Sequence, residues 1–165
     1  RIQMTVLADS QARYLVLGVG NILLTDDGVG VHIIESLRSH TEISSKINIL
    51  DGGTLGLSLL PDIEDAAGLI VVDAAEIGEK PGTMRVFENS EMDRQLAGKK
   101  RTVHEVAVSD LLATATMLGK QPNDRALIAI QPASTDWGLE PTEEVSSAIP
   151  FAVDTITSMI ERWTK

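Results

Sequence analysis

The stretch Tyr14-Leu-Val-Leu-Gly-Val-Gly-Asn-Ile-Leu-Leu-Thr-Asp-Asp-Gly28 decides the reading of the fold. From Tyr14 to Val19 it is apolar on both alternating faces, the pattern of a strand buried on both sides, and Gly20-Asn21 closes it. Between Gly28 and His40, Val31, Ile34 and Leu37 recur at helical spacing. Asp26 or Asp27 stands where a helix start favours a carboxylate as cap, and His40 suits the opposite pole.

The alternation continues along the chain. Ile47 to Leu50 reads as a short strand broken by Asp51-Gly52-Gly53-Thr54. Leu55 to Ile63 is expected to be helical, interrupted by Pro61. Gly68-Leu-Ile-Val-Val-Asp73 is a second fully buried strand, ending in an acid. Pro81-Gly82 introduces a strand running to Phe87, and Glu88 to Arg101 reads as polar and loop-rich. Thr102 and Glu105 match a capping box. The helix that follows carries Val108, Leu111, Leu112, Ala115 and Leu118 on one stripe and ends at Gly119. Ala126 to Ile130 is a buried strand stopped by Gln131-Pro132. A last helix spans Pro141 to Trp163, with Pro141 or Thr142 at its start and Pro150 kinking or splitting it. The expected fold class is α/β, a single domain over residues 1–165 with a twisted, mostly parallel sheet and helices on both faces.

Composition agrees. At about 150 residues per domain, 165 residues make one domain. Such a chain buries roughly 70% of its extended surface and needs no disulfide or structural metal to fold. Its 43% apolar and 23% charged residues exclude a disordered chain. With 24 acids against 14 bases the net charge is −10, which disfavours nucleic-acid backbones and anionic membranes. Cys is absent, so disulfides, thiol nucleophiles and Cys-built zinc sites are excluded; a reducing cytoplasm is compatible. Residues 1–9 lack a signal-peptide core, and no apolar run approaches the ~20 residues of a membrane span.

In folds of this class ligands bind beyond the carboxyl ends of the strands. Several unusual residues fall there: Asp26-Asp27, Asp51 to Thr54, Asp73, Gln131 and, opening a helix near the same rim, His104. Gly18-x-Gly20 suggests a dinucleotide fingerprint, but its third glycine position is Leu23, and two carboxylates at the helix start would repel a pyrophosphate. A tight turn explains these glycines better. Asp27, Asp73 and His104 fit a three-ligand site for a divalent transition metal, with positions left open. The competing reading makes the acids caps or strand ends and His104 a surface residue. A serine hydrolase is disfavoured: Gly-x-Ser-x-Gly is absent, and Ser58 and Ser109 lie off any strand-to-helix turn. Lys99-Lys100-Arg101 reads as a solvated loop able to engage a carboxylate. His32 and His40 read as surface or cap residues, and Trp137 and Trp163 as packing residues.

Leu15-Val-Leu-Gly-Val-Gly-Asn-Ile-Leu-Leu-Thr-Asp-Asp-Gly-Val-Gly30 resembles the opening motif of the hydrogenase maturation proteases, endopeptidases that trim the C-terminus of the nickel–iron hydrogenase large subunit. The Asp51-Gly-Gly-Thr54 turn, the Val71-Val-Asp73 strand end and the His104-Glu105 helix start resemble its later motifs in the same order. The resemblance covers roughly residues 14 to 150. Residues 1–12 lie outside it and are open to being flexible. The resemblance implies a single α/β domain and a peptide-bond hydrolase. It implies that Asp27, Asp73 and His104 are both the catalytic and the metal-contacting set, engaging nickel supplied by the substrate, with another divalent metal able to replace it in vitro. Asp51, Gly52, Gly53 and Thr54 would help bind the substrate. The partner is the large-subunit precursor, shortened after nickel insertion by a cytoplasmic, monomeric enzyme that engages neither nucleic acid nor membrane. The alternative is a non-catalytic, nickel-dependent chaperone or binding module for the same partner. A more remote one is a nucleotide-binding domain.

Overall fold

The computed structural model describes residues 13–40, 46–52, 57–98 and 103–165. Five strands form one sheet: β1 (Arg13–Gly18), β2 (Ile47–Asp51), β3 (Ala66–Ala74), β4 (Met84–Glu88) and β5 (Asp124–Ile130), in the order β2-β1-β3-β5-β4. All neighbours are parallel except β4 with β5, which are antiparallel at the edge. Among the described residues six α-helices accompany them: α1 (Val29–Arg38), α2 (Leu60–Glu64), α3 (Ser90–Leu96), α4 (Val103–Met117), α5 (Glu143–Ser146) and α6 (Ile149–Trp163).

Strand side chains alternate between faces. Tyr14, Val16, Ile70, Val72 and Ile128 face one core, shared with α1 and α6 through Ile33, Ile34, Leu37, Val153 and Ile156. Leu15, Leu17, Leu69, Val71 and Leu127 face the other, covered by α3 and α4 through Met92, Leu96, Val108, Leu111 and Leu112. This double burial is why β1, β3 and β5 read as unbroken apolar runs. Tyr14 is clasped by the far end of the chain: its hydroxyl donates to the Trp163 carbonyl at 3.1 Å, and the two rings stand 6.1 Å apart. Trp163 is thus the packing residue expected. Gly68 makes room for it, since a Cβ there would lie 2.8 Å from the indole.

Several local expectations change. Residues 88–101 are not simply loop-rich, because α3 buries Met92 and Leu96, four residues apart, against the sheet. Pro61 does not interrupt a helix but sits in the first turn of α2, where its missing N–H costs nothing. Pro150 occupies the same position in α6, so the last helical segment is split into α5 and α6. Leu118 lies beyond α4 and is 57% exposed, off the buried stripe. Thr102, the expected cap of α4, is outside the described residues, as are residues 1–12 and Lys99 to Arg101.

The glycines of the first motif are packing devices. A Cβ on Gly30 would stand 2.2 Å from the Val72 carbonyl oxygen and 2.5 Å from that of Val19. Gly20, at φ +133°, would place one 2.0 Å from the Asp27 oxygen. Close backbone packing thus accounts for these glycines, in line with the tight-turn reading. Gly30→Ala is expected to cost about 3 kcal/mol by overpacking. A melting point lowered by roughly 6–12 °C in a thermal scan checks this.

Candidate functional site

The strand order reverses at β1 and β3: α1 covers one face on the way to β2, and the chain returns through α2 on the other. The crevice beyond the carboxyl ends of β1 and β3 is where such a sheet binds ligands. The sequence-marked residues gather at this edge.

Asp26 and Asp27 lie in a 3-10 turn, Thr25–Gly28, that precedes α1. Neither caps α1, whose N-cap is Gly28. The two acids do different work. Asp26 is wholly buried. It accepts hydrogen bonds from the backbone N–H of Ala133 (2.8 Å), Ser134 (3.1 Å) and Thr142 (2.7 Å), and from the Thr142 hydroxyl (2.9 Å). Thr142 is the expected start of α5, but its hydroxyl serves Asp26 rather than its own helix. Asp26 therefore binds the turn to the segment after β5, and its neighbour Asp27 is left facing the crevice.

Asp27 Oδ2 accepts from the Asn21 backbone N–H at 2.9 Å and stands 3.3 Å from His104 Nε2. His104 comes from the first turn of α4, on the other side of the sheet. Asp73 shares the parity of Leu69 and Val71, so it points to the face that α4 covers. It is 1% exposed, and its Oδ1 has no hydrogen-bond partner among the described residues. Glu105, next to His104, is also buried.

The electrostatics follow from these contacts. His104 holds the Asp27 carboxyl below the usual carboxylate range, and Asp27 in turn raises the imidazole. Burial pushes Asp73 well above the ordinary range, and the charges of Asp27 and Glu105 push it the same way. The surroundings thus favour ionisation of Asp27 and oppose that of Asp73. Asp27 and His104 touch, and Asp73 is within reach of the Asp27 charge. Among the described residues, however, no three His, Asp or Glu side chains are arranged to hold a metal ion unaided.

Asp51 ends β2 beside Gly18, and the Gly52 N–H donates to the Gly18 carbonyl at 2.8 Å, so both sit on the same rim. Gly53 and Thr54 are outside the described residues. Gln131 is buried just after β5; its Oε1 accepts from the Ile77 N–H at 2.8 Å and its Nε2 donates to Glu76 at 2.7 Å, fixing the turn after β3. Two expectations fail. His32 is half-buried, with Nε2 enclosed and unpartnered among the described residues, so it is not a surface residue. Trp137 does not pack: it is 81% exposed. His40 is exposed at the end of α1, with Nδ1 3.3 Å from the Ser36 carbonyl, as a helix C-terminus favours.

A family model described as hydrogenase maturation protease matches residues 31–159. The chain belongs to the hydrogenase maturation protease family. It is 39% identical over 152 residues to the hydrogenase expression/formation protein HupD of Rhizobium leguminosarum bv. viciae, covering 92% of this chain and 75% of that one. It is 39% identical over 136 residues to the Escherichia coli K12 hydrogenase 2 maturation protease, with 80% and 82% covered. Among solved structures, the hydrogenase maturating endopeptidase HybD from E. coli superposes with a TM-score of 0.86 at 33% identity, over 91% of this chain and 93% of that one. As a member of this family the chain is a peptidase, built on the single α/β sheet that the family shares.

Two outcomes follow for the free protein. A raised His104 should titrate above the ordinary histidine value of about 6.5, and Asp27→Asn should lower it; the imidazole carbon proton followed by NMR across pH 5–9 reads both. An acid whose pKa is raised by folding stabilises the fold below the unfolded value of about 4, and that contribution is lost as pH rises through the folded value. Asp73→Asn should therefore raise the melting point at pH 8, with the gain vanishing near pH 4.

Proposed function

We propose that this chain removes the C-terminal extension of the nickel–iron hydrogenase large-subunit precursor once nickel has been inserted. In this reading Asp27, Asp73 and His104 contact the nickel, which belongs to the substrate. The observation that carries the proposal is Asp27 at 3.3 Å from His104, beside the buried oxygen of Asp73 that has no partner among the described residues, in the switch-point crevice of a family peptidase. A metal ligand needs a neutral imidazole and a free lone pair. His104 and Asp27 supply these when they part, and Asp73 has an acceptor already waiting. Their incomplete cage among the described residues supports a metal that arrives with donors of its own. Another divalent ion in place of nickel would meet the same groups in vitro.

The chemistry needs a polarised carbonyl and a water stripped of its proton. A metal ion at the scissile carbonyl supplies the first. A carboxylate not committed as a ligand supplies the second. In the same reading Asp51, Gly52, Gly53 and Thr54 help bind the precursor, and Asp51 and Gly52 stand on the crevice rim beside Gly18. The enzyme acts as a monomer in the cytoplasm, and neither nucleic acid nor membrane takes part. Among the described residues no helix is long and apolar enough to cross a membrane.

The test incubates the chain with nickel-loaded and nickel-free precursor and records intact masses of the large subunit. Loss of a C-terminal peptide from the loaded form alone is the expected result. Cleavage of both forms would remove nickel as the signal. A stable complex without cleavage would favour the binding-module reading. Asp27→Asn and His104→Ala should each lower the rate at least about 100-fold while leaving the circular dichroism unchanged.

A further inference from the structure

Trp137 is exposed in a way that loop freedom does not explain. The Gly138 N–H donates to the Leu23 carbonyl at 2.9 Å, and the Thr25 N–H donates to the Gly138 carbonyl at 2.9 Å. The Thr25 hydroxyl donates to the Asp136 carbonyl, and the Asp136 N–H donates to the Ser134 hydroxyl at 3.2 Å. A Cβ on Gly138 would lie 2.9 Å from the Thr25 hydroxyl oxygen, so the two segments are in close contact. The backbone on both sides of Trp137 is thus fastened to the turn that carries Asp27.

The fastening gathers exposed apolar side chains at one place. Trp137 is 81% exposed, Leu139 65%, Leu23 45% and Ile22 44%. Asp136 and Glu140 are exposed on either side of the Trp137–Leu139 pair. An apolar centre with a charged rim is the anatomy of a protein-binding surface, and a rigidly held tryptophan is its commonest anchor. In water such a patch costs free energy, and holding it rigid makes sense only if something docks there.

We propose that Trp137, Leu139, Leu23 and Ile22 form the docking surface for an apolar segment of the precursor polypeptide, adjoining the bond to be cut. The inference rests on the reading of the chain as a precursor peptidase. Continuity selects this occupant: Leu23 and Asp27 belong to one turn, and the Asp27 N–H donates to the Leu24 carbonyl at 3.0 Å. The backbone that presents these side chains is therefore joined directly to the backbone that presents Asp27. The contact is apolar, so it holds in high salt, unlike one made by the chain's net charge of −10.

The experiment measures steady-state cleavage of nickel-loaded precursor by the wild-type chain, Trp137→Ser, Leu139→Ser and, as control, Met117→Ser. Met117 is 86% exposed at the opposite end of α4 from His104, about 20 Å away. Trp137→Ser and Leu139→Ser should raise KM about tenfold or more at both low and high salt, with kcat changed less than twofold. Their melting points and the KM of Met117→Ser should match wild type. A Trp137→Ser KM within twofold of an active wild type overturns this proposal alone. A wild-type chain that cleaves no precursor overturns the proposed function with it. A wild-type dimer that Trp137→Ser splits without change in KM would mean that the surface pairs two copies of this chain, and overturns it too.

Discussion

A buried carboxylate with every donor it needs organises this molecule. Taking an ion such as Asp26 out of water costs several kcal/mol unless hydrogen bonds replace the lost hydration. Three backbone N–H groups and one hydroxyl do so, and they come from a segment more than a hundred residues further along the chain. The charge can be satisfied only if the turn before α1 and the segment after β5 meet. Their meeting fixes the direction of Asp27, the start of α5 and the presentation of Trp137. One side chain thereby couples the first crossover of the sheet to the approach to last helices.

Asp73 is the counterpart. It is as deeply buried as Asp26 but lacks a partner for one oxygen among the described residues. An unsatisfied buried acceptor costs about 1–3 kcal/mol, and the charges of Asp27 and Glu105 add to the difficulty of ionising it. The two acids show the division of labour in the crevice. One spends its hydrogen-bonding capacity on structure. The other leaves one oxygen free among the described residues, at the rim between the two apolar cores.

Much of this was legible in the sequence, for physical reasons. A strand covered on both faces must be apolar throughout, so β1, β3 and β5 declare themselves. The stripes on α1 and α4 follow from facing a flat sheet. Position at strand and helix ends marked Asp27, Asp73 and His104 as candidates but did not separate ligands from caps and strand-end acids; the resemblance singled them out as a set, and the structure brings Asp27 and His104 to 3.3 Å. What escaped was short or relational. The helix α3 presents only Met92 and Leu96 to the core, too few to establish a period. Pro61 starts a helix rather than interrupting one, a distinction of one turn in register, whereas the split expected at Pro150 is present between α5 and α6. Asp26 looked like a helix cap because a capping carboxylate and a tether between distant segments have the same local sequence. Trp137 looked like core because its residue type favours burial, and only the pinned backbone around it shows otherwise.

The clasp between Tyr14 and Trp163 has a consequence for the order in which the protein is made. The first strand emerges from the ribosome early, yet the groups that cover one of its faces sit on α6, almost 150 residues later. Until α6 has been synthesised, Tyr14, Val16, Ile70, Val72 and Ile128 have only part of their cover, so the nascent chain carries a bare sheet face that is prone to association. The N-terminal half cannot mature as an independent unit, and its folding is completed by a long-range contact of the kind that slows the search. At about 5–20 residues per second, the interval between making β1 and making α6 is a matter of several seconds to half a minute. Over that interval one face of the central strands is covered by α1 but not by α6.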